Sequence, residues 1–250
     1  MSRLLIVGNY LSPYVRKALV CLELKGIAYE IDPIVPFYGD DRFSRLSPLR
    51  RIPVLIDGDL VLTDSTVICQ YLEDRHPSPR LYPEQIADRA RARWLEEFAD
   101  TRMGDVVIWR LYNQLVIGPH VWGRPADKDV VQQTLDIDLP GILDYLESLA
   151  PADGFLFGPD LSIADISVAT FFRNAAFARY KVDASRWPKA AALVGRAFAT
   201  DAFATLRPFE DLCMKTPIAR QREALAAAGA PLTDDTWETD QPVAGVMPLG

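Results

Sequence analysis

The sequence predicts an α/β domain at the N-terminus followed by an all-α, helical-bundle domain. Over the first part of the chain, short apolar runs alternate with stretches of helical periodicity. The segment His76-Pro77-Ser78-Pro79 then interrupts this alternation, as a linker does. Beyond it, apolar residues recur at helical spacing without a convincing pair of strands. We therefore assign residues 1–78 to the first domain, 86–217 to the helical domain and 218–250 to a C-terminal helix with an acidic tail.

The first strand and the first helix have clear limits. The apolar run Leu4–Val7 predicts a buried strand that ends at Gly8-Asn9. Ser12 is a favourable N-cap, and Pro13 suits the first turn of a helix. Apolar residues at helical spacing then continue to Lys25-Gly26, where glycine favours the end of the helix.

Five further elements complete the predicted first domain. They are a strand over Ile27–Ile31, a short helix near Phe43, two strands over 53–56 and 60–62, and a helix capped by Asp64-Ser65. The turn Asp57-Gly58-Asp59 between two apolar runs is typical of a β-hairpin. The resulting order, β-α-β-α-β-β-α, is the thioredoxin-like arrangement.

The helical domain is predicted from longer periodic stretches. Ile86–Ile117 indicates one long helix or a bent pair, and Val130–Leu149 indicates another. Pro140 is expected to kink or break the second stretch, because proline lacks an N–H and its ring clashes with the preceding turn. Ser162 and Asp165 form the pattern of a capping box, which predicts the start of a further helix.

Composition excludes several classes of function. The formal net charge of −7 argues against nucleic acid as a partner, because phosphate binding needs a dense basic surface. No stretch approaches the ~20 apolar residues of a membrane span, and the apolar run Leu4–Val7 is shorter than a secretory signal needs, so we expect no such signal. From Ala226 onward there are acidic residues but no Lys or Arg, which predicts an extended or partly disordered tail.

The cysteines and histidines do not indicate a metal site. Cys21, Cys69 and Cys213 are widely separated and form no Cys-x-x-Cys or zinc-ligand spacing. The two histidines, His76 and His120, lie in predicted loops. We therefore expect no metal, three small apolar thiols and a reducing, cytoplasmic environment.

Three segments of the first domain contain candidate functional residues. Ser12 is by itself an ordinary helix cap, but a helix N-terminus with a hydroxyl group also stabilises an anion such as a thiolate. An X-Pro bond is usually trans, so that Pro53 merely begins a strand; a cis bond would turn the main chain of Ile52 toward a bound peptide. Asp64-Ser65 is again a helix cap, or else a carboxylate and a hydroxyl that face an α-amino acid head group.

In combination, these segments resemble the glutathione transferase superfamily over about residues 1–210. Ser12-Pro13-Tyr14 resembles the Ser-Pro-aromatic opening of serine-type cytosolic members, bacterial ones in appearance. Ile52-Pro53 resembles the family's cis-proline and the residue before it, and Asp64-Ser65 resembles the acidic residue and serine that hold the γ-glutamyl group. Ser162–Asp165 resembles the capping motif of the family's helical domain.

The resemblance implies a site, a co-substrate and partners. It implies that Ser12 is catalytic, donating a hydrogen bond to the glutathione sulfur, and that glutathione is bound by Ser12, Arg51, Ile52, Pro53, Asp64 and Ser65. It also implies a small hydrophobic electrophile, a homodimer and a role in detoxification. Two features depart from the family pattern: Arg51 stands where many serine-type members have Lys or Val, and the acidic tail is not a general family feature.

Two other functions stay open at this level. One is a glutathione-dependent disulfide reductase or peroxidase; Ser12 cannot form a mixed disulfide, so glutathione itself would have to carry out both steps. The other is a non-catalytic binding module, since helix capping alone would account for Ser12 and Asp64.

Overall fold

The computed structural model of the chain describes residues 4–243. Its strands are β1 (Leu4–Val7), β2 (Tyr29–Asp32), β3 (Val54–Asp57) and β4 (Leu60–Leu62). Its α-helices are α1 (Pro13–Lys25), α2 (Asp41–Leu46), α3 (Ser65–Arg75), α4 (Ile86–Phe98), α5 (Gly118–Trp122), α6 (Lys128–Gln133), α7 (Leu139–Leu149), α8 (Ile163–Phe177), α9 (Pro188–Ala199), α10 (Asp201–Lys215) and α11 (Ile218–Ala227). A 3₁₀ turn (Pro36–Tyr38) precedes α2, and wider π-helical stretches cover Ala99–Ile117 and Thr134–Asp138.

The chain divides into two compact units. The first contains residues up to Pro79 together with Asp201 onward, and the second contains Arg80–Thr200. Helix α10 therefore belongs to the first unit, where it packs against α1.

The first unit is built on a four-stranded mixed sheet with the strand order β2-β1-β3-β4. β1 and β2 are parallel, whereas β3 is antiparallel to both β1 and β4. Val7, the last residue of β1, lies opposite Val54, the first residue of β3. The end of β1 and the segment that leads into β3 therefore meet at the same end of the sheet.

Helix α1 begins and ends where its sequence predicts. The Ser12 side chain accepts a hydrogen bond from the Val15 N–H, and Pro13 occupies the first turn. Gly26 adopts the left-handed conformation, with φ of 63°, and its N–H bonds back to the last turn. Between these limits the residues facing the sheet are buried, including Leu19.

Helices α1 and α3 lie side by side and run in the same direction. Three side-chain contacts join them in the same order along both helices. They are Lys17 Nζ to Thr66 Oγ1 at 3.0 Å, Cys21 Sγ to Cys69 Sγ at 3.5 Å, and Lys25 Nζ to Glu73 Oε2 at 2.8 Å. Each partner on α3 follows its α1 residue by 48 or 49 positions, so the N-terminal ends of both helices point the same way.

The described part of the acidic tail is extended and runs along β2. Leu232 pairs with Ile31 in a parallel bridge, in which the Ile31 N–H donates to Pro231 O at 2.8 Å. The buried Asp32 carboxylate accepts hydrogen bonds from the Trp237 N–H and from Arg222. Of the two predicted states of the tail, the extended one therefore describes it up to residue 243; residues 244–250 lie outside the described residues.

The second unit is helical, and α8 is buried along most of its length. The predicted capping box is confirmed: Asp165 Oδ2 accepts from the Ser162 N–H at 3.0 Å and from Ser162 Oγ at 2.5 Å, and Asp165 Oδ1 accepts from the Leu156 N–H at 2.9 Å. The carboxylate thereby joins the preceding loop to the first turn of α8.

The two long helical stretches of this unit are continuous. α4 runs into the π-helical stretch Ala99–Ile117 without leaving helical dihedral angles at the junction. Of the two expectations for Pro140, a kink or a break, the break is wrong, because α6 continues through Thr134–Asp138 into α7. Pro140 falls in the first turn of α7, and the widened turn before it gives its ring room that a regular α-helix lacks. No helix within residues 4–243 is long and apolar enough to cross a membrane.

Candidate functional site

The turn after β1, the first turn of α1 and the segment before β3 are in contact. Gly8 lies where they meet: a Cβ atom built on it would be 2.5 Å from Val15 Cγ2 and 3.0 Å from Ile52 Cβ. Gly8 also has a φ of 149°, which side-chain-bearing residues rarely adopt. Glycine therefore allows Ile52 to approach the start of α1.

The N-terminus of α3 lies at the same end of the first unit. Because α1 and α3 are parallel and offset by 48 or 49 positions, Asp64 lies level with Val15 and Arg16 of α1. The three candidate segments, which are separated in the sequence, thus share one end of the sheet.

Ser12 is half-buried and has two separable hydrogen-bonding functions. Its oxygen accepts the Val15 N–H at 3.3 Å, which is the capping role. Its own hydroxyl proton has no acceptor within residues 4–243. A serine hydroxyl has one donor in addition to its acceptor positions, so Ser12 can cap α1 and donate to a ligand at the same time.

The turn that carries Ser12 is held by Asn9, a residue that the sequence marks only as the end of a strand. The Ser12 N–H donates to Asn9 O at 3.0 Å, and the Leu11 N–H donates to Asn9 Oδ1 at 2.9 Å. The Asn9 amide nitrogen in turn donates to Pro33 O and to Gln221 Oε1, both at 2.9 Å. All hydrogen-bonding groups of this buried side chain therefore serve to fix the turn.

Arg16 and Glu210 form a second support that sequence reasoning missed. Arg16 is 1% exposed and Glu210 is 2% exposed, and Arg16 Nε lies 2.5 Å from Glu210 Oε1. Arg16 Nη2 also donates to Tyr10 O at 3.2 Å. Tyr10 itself is buried, and its hydroxyl has no partner within residues 4–243. Burial raises the pKa of this phenol, so it stays protonated, and its 1% exposure keeps it away from ligands in solution.

The Ile52–Pro53 peptide bond is cis. Ile52 lies just before β3, and its main-chain N–H and C=O groups form no hydrogen bond within residues 4–243. The side chain of Arg51 is exposed, while its main chain is held by Ser47 Oγ, which donates to Arg51 O at 2.8 Å. The neighbouring Arg50 is directed away, with its guanidinium 2.7 Å from Gly39 O.

The two oxygens of the Asp64 carboxylate have different environments. Oδ1 accepts the N–H groups of Thr66 and Val67 at 2.9 and 3.1 Å, which caps α3. Oδ2 has no partner among residues 4–243, and the side chain is exposed. The adjacent Ser65 is buried, at 4% exposure, in the first turn of α3. Asp64 is therefore positioned to receive a cationic group from solution.

The end of the first unit thus presents a hydroxyl donor, unused main-chain groups and a carboxylate oxygen. These are the complementary groups for a peptide that carries a thiol and an α-ammonium group. No group of three His, Cys, Asp or Glu side chains that could hold a metal ion occurs in the part of the chain that the structure describes.

Two family models match the chain. The model of the glutathione S-transferase N-terminal domain matches residues 7–80, and the model of the glutathione S-transferase C-terminal domain matches residues 130–196. The chain belongs to the glutathione S-transferase superfamily. The family predicted from the three segments is confirmed, as is the predicted thioredoxin-like domain followed by a helical domain.

Individual relatives are similar to this chain over most of its length. A glutathione S-transferase from wheat, Triticum aestivum, is 28% identical over 189 residues, which is 74% of this chain and 83% of that protein. A probable maleylacetoacetate isomerase from Vibrio cholerae is 28% identical over 213 residues, covering 83% of this chain and 97% of the relative. The apo structure of human glutathione-S-transferase T1-1 has a TM-score of 0.76 at 25% identity and covers 90% of this chain and 97% of that one. The prediction of a glutathione transferase enzyme is confirmed by these relatives, while the roles of single residues stay predictions.

Proposed function

We propose that this transferase activates the glutathione thiol as a thiolate through Ser12 and directs it at a small hydrophobic electrophile. The observation that supports the proposal most directly is the Ser12 hydroxyl. Its oxygen is engaged in the helix cap, and its proton is left for a ligand. The nucleophile belongs to the co-substrate, so the protein needs no base next to Ser12.

The energetic argument starts from the free thiol, whose pKa is about 8.5, so that it is mostly protonated at neutral pH. A hydrogen bond to a charged group stabilises that group by about 1.5–3 kcal/mol. This converts to a fall of roughly 1–2 in the pKa of the bound thiol. The N-terminus of α1 adds the positive end of its helix dipole.

The remaining candidate residues bind the peptide. In this proposal, the main-chain groups of Ile52 beside Pro53 pair with the peptide backbone, and the Asp64 carboxylate accepts from the α-ammonium group. The buried Ser65 is the first residue of α3, where its hydroxyl and the positive end of the helix dipole favour the head-group carboxylate. The exposed Arg51 guanidinium complements the second carboxylate of glutathione.

The experiment that tests this proposal is Ser12→Ala. We expect the pKa of bound glutathione to rise by about 1–2 and conjugation of an aryl halide at pH 7 to slow about 10–100-fold. The thiolate absorbance of the complex, titrated against pH, measures the pKa directly. An unchanged titration would remove Ser12 from the mechanism.

A matched control separates catalysis from helix capping. Ser12→Ala also removes an N-cap, which costs about 1 kcal/mol of stability. Asp127 caps α6 by accepting the N–H groups of Asp129 and Val130, so Asp127→Ala loses a comparable cap in the second unit. This control is expected to lower stability without changing the thiolate titration.

The similarity to a probable maleylacetoacetate isomerase favours a second candidate function, glutathione-dependent isomerisation. A thiolate that adds to an activated carbon–carbon double bond permits rotation about it, and elimination then regenerates the thiolate. The two functions differ in stoichiometry, because conjugation consumes glutathione whereas isomerisation returns it. Thiol titration during turnover of a conjugated cis-enone distinguishes them.

We also propose that the enzyme is a cytoplasmic homodimer, as the family resemblance implies. Sedimentation equilibrium tests the oligomeric state: a mass near twice the 27.9 kDa of the chain is expected, and a monomer at micromolar concentration would contradict it.

A further inference from the structure

The Arg16–Glu210 pair joins helix α1 to helix α10 inside the first unit. Both side chains are almost completely buried, and their closest atoms are 2.5 Å apart. Burying two charges has a desolvation cost that good geometry and further hydrogen bonds must offset. The pair is therefore weak as a source of stability, but it is strongly directional, because the planar guanidinium donates along fixed directions.

The Arg16 guanidinium also forms a hydrogen bond to the turn that carries Ser12. Nη2 donates to Tyr10 O at 3.2 Å, two residues before Ser12. The main-chain N–H of Arg16 also donates to Ser12 O at 2.9 Å. This main-chain bond would form with any residue at position 16, whereas the guanidinium holds the turn at Tyr10 O and Glu210 fixes its orientation.

We propose that Arg16 is a positioning residue for Ser12 and that Glu210 is the residue that orients Arg16. This inference rests on the proposed role of Ser12. Arg16 is buried beneath the turn and is argued to act only by fixing the direction of the Ser12 hydroxyl. Helix α10 thereby contributes to the thiolate site, although Glu210 and Arg16 are 194 positions apart in the sequence.

The test is Arg16→Met, measured in the parent and in the Ser12→Ala background. In the parent, the pKa of bound glutathione is expected to rise by about 1 and kcat/KM at pH 7 to fall about 10-fold, since small misplacements of a catalytic group have effects of this size. In the Ser12→Ala background, Arg16→Met is expected to change neither the thiol pKa nor kcat/KM by more than about 2-fold, because the two residues act as one unit.

Lys25→Met is the matched control. Lys25 is a buried, ion-paired cation on the same helix, with its partner Glu73 at 2.8 Å. It lies nine residues after Arg16, about 13 Å along the helix axis. Its substitution is expected to lower the melting temperature and leave the thiolate titration unchanged.

Glu210→Gln distinguishes position from charge. The amide oxygen still accepts from Arg16 while the negative charge is lost, so a positioning role predicts a thiol pKa close to that of the parent. A fall in the thiol pKa as large as the rise in Arg16→Met would show that Arg16 acts through its charge, and would overturn the inference. If Arg16→Met does not fold, Arg16→Lys replaces it, because a single ammonium group cannot reproduce the two directional bonds to Glu210 and Tyr10 O.

The outcomes separate this inference from the proposed function. If Ser12→Ala leaves the thiol pKa unchanged, both fail. If Ser12→Ala raises the pKa and Arg16→Met alters only the melting temperature, the role of Ser12 stands and the positioning role of Arg16 is refuted. Additive effects of the two substitutions on the thiol pKa would refute it as well.

Discussion

Asp64→Asn separates ligand binding from helix capping at the start of α3. In the protein, Oδ1 caps the helix by accepting two N–H groups, and Oδ2 has no partner within residues 4–243. Asparagine is as good an N-cap as aspartate, so its amide oxygen can take the place of Oδ1. Its NH₂ group then takes the place of Oδ2, and an ammonium group meets a donor instead of a carboxylate.

The size of the effect follows from the environment of Asp64. A hydrogen bond between charged groups contributes about 1.5–3 kcal/mol, and the exposure of Asp64 places it at the lower end. A loss of about 1.4 kcal/mol raises the Kd of glutathione tenfold. Helix α3 loses only the interaction of a negative charge with its N-terminus, about 0.3–1 kcal/mol.

Calorimetry with glutathione and with an analogue that lacks the α-amino group provides the assay. We expect Asp64→Asn to weaken glutathione binding about tenfold and to bind the analogue as the parent does. Asp64→Ala should match it in binding and lose about 1 kcal/mol more stability, because the cap is gone. Equal affinity of Asp64→Asn and the parent for glutathione, or an equal loss for the analogue, would refute the assignment of the ammonium group to Asp64.

Two further predictions concern stability. Gly8→Ala places a Cβ 2.5 Å from Val15 Cγ2 at a φ of 149° and is expected to lower the free energy of unfolding in urea by about 2–5 kcal/mol. Gly26→Ala also has a positive φ, but its Cβ meets no atom within 4 Å, so the expected loss is only about 1–2 kcal/mol. Equal losses in the two variants would contradict the packing argument. Burial raises the pKa of Glu238, and Asp32 adds to the rise, so the ionised carboxylate destabilises the folded state. Glu238→Gln is therefore expected to be more stable than the parent at pH 7, with the difference shrinking as pH falls through the raised pKa; a difference that is constant with pH would argue against it.

Features with a local cause were predictable from the sequence. A Ser-Pro start and a glycine end define α1 because capping involves only neighbouring residues. The capping box at Ser162 and Asp165 was found for the same reason. Likewise, apolar periodicity and the Asp-Gly turn yield the order of strands and helices in the first unit.

The supports of the candidate site were not predictable, because their partners are distant in the chain. Asn9 and Gln221 are 212 positions apart, and Arg16 and Glu210 are 194 apart. Arg16 has the ordinary appearance of a helix-surface residue in the sequence, since burial of a charge depends on what packs over it. Pro140 shows the limit of a local rule: proline was expected to kink or break the helix, but the helix is not broken there, because the wider helical turn before Pro140 accommodates its ring.

The pairing of the tail with β2 covers an edge of the sheet. β2 is an outer strand of the sheet, and the N–H and C=O groups of an uncovered outer strand are a template for strands of other molecules. Here the Ile31 N–H is bonded to Pro231 O, and Ile31 O accepts from the Thr233 N–H at 3.1 Å. A fragment that ends before Pro231 would leave this template open. Because the tail covers this strand edge, we expect a form that ends before Pro231 to self-associate more readily than the full chain.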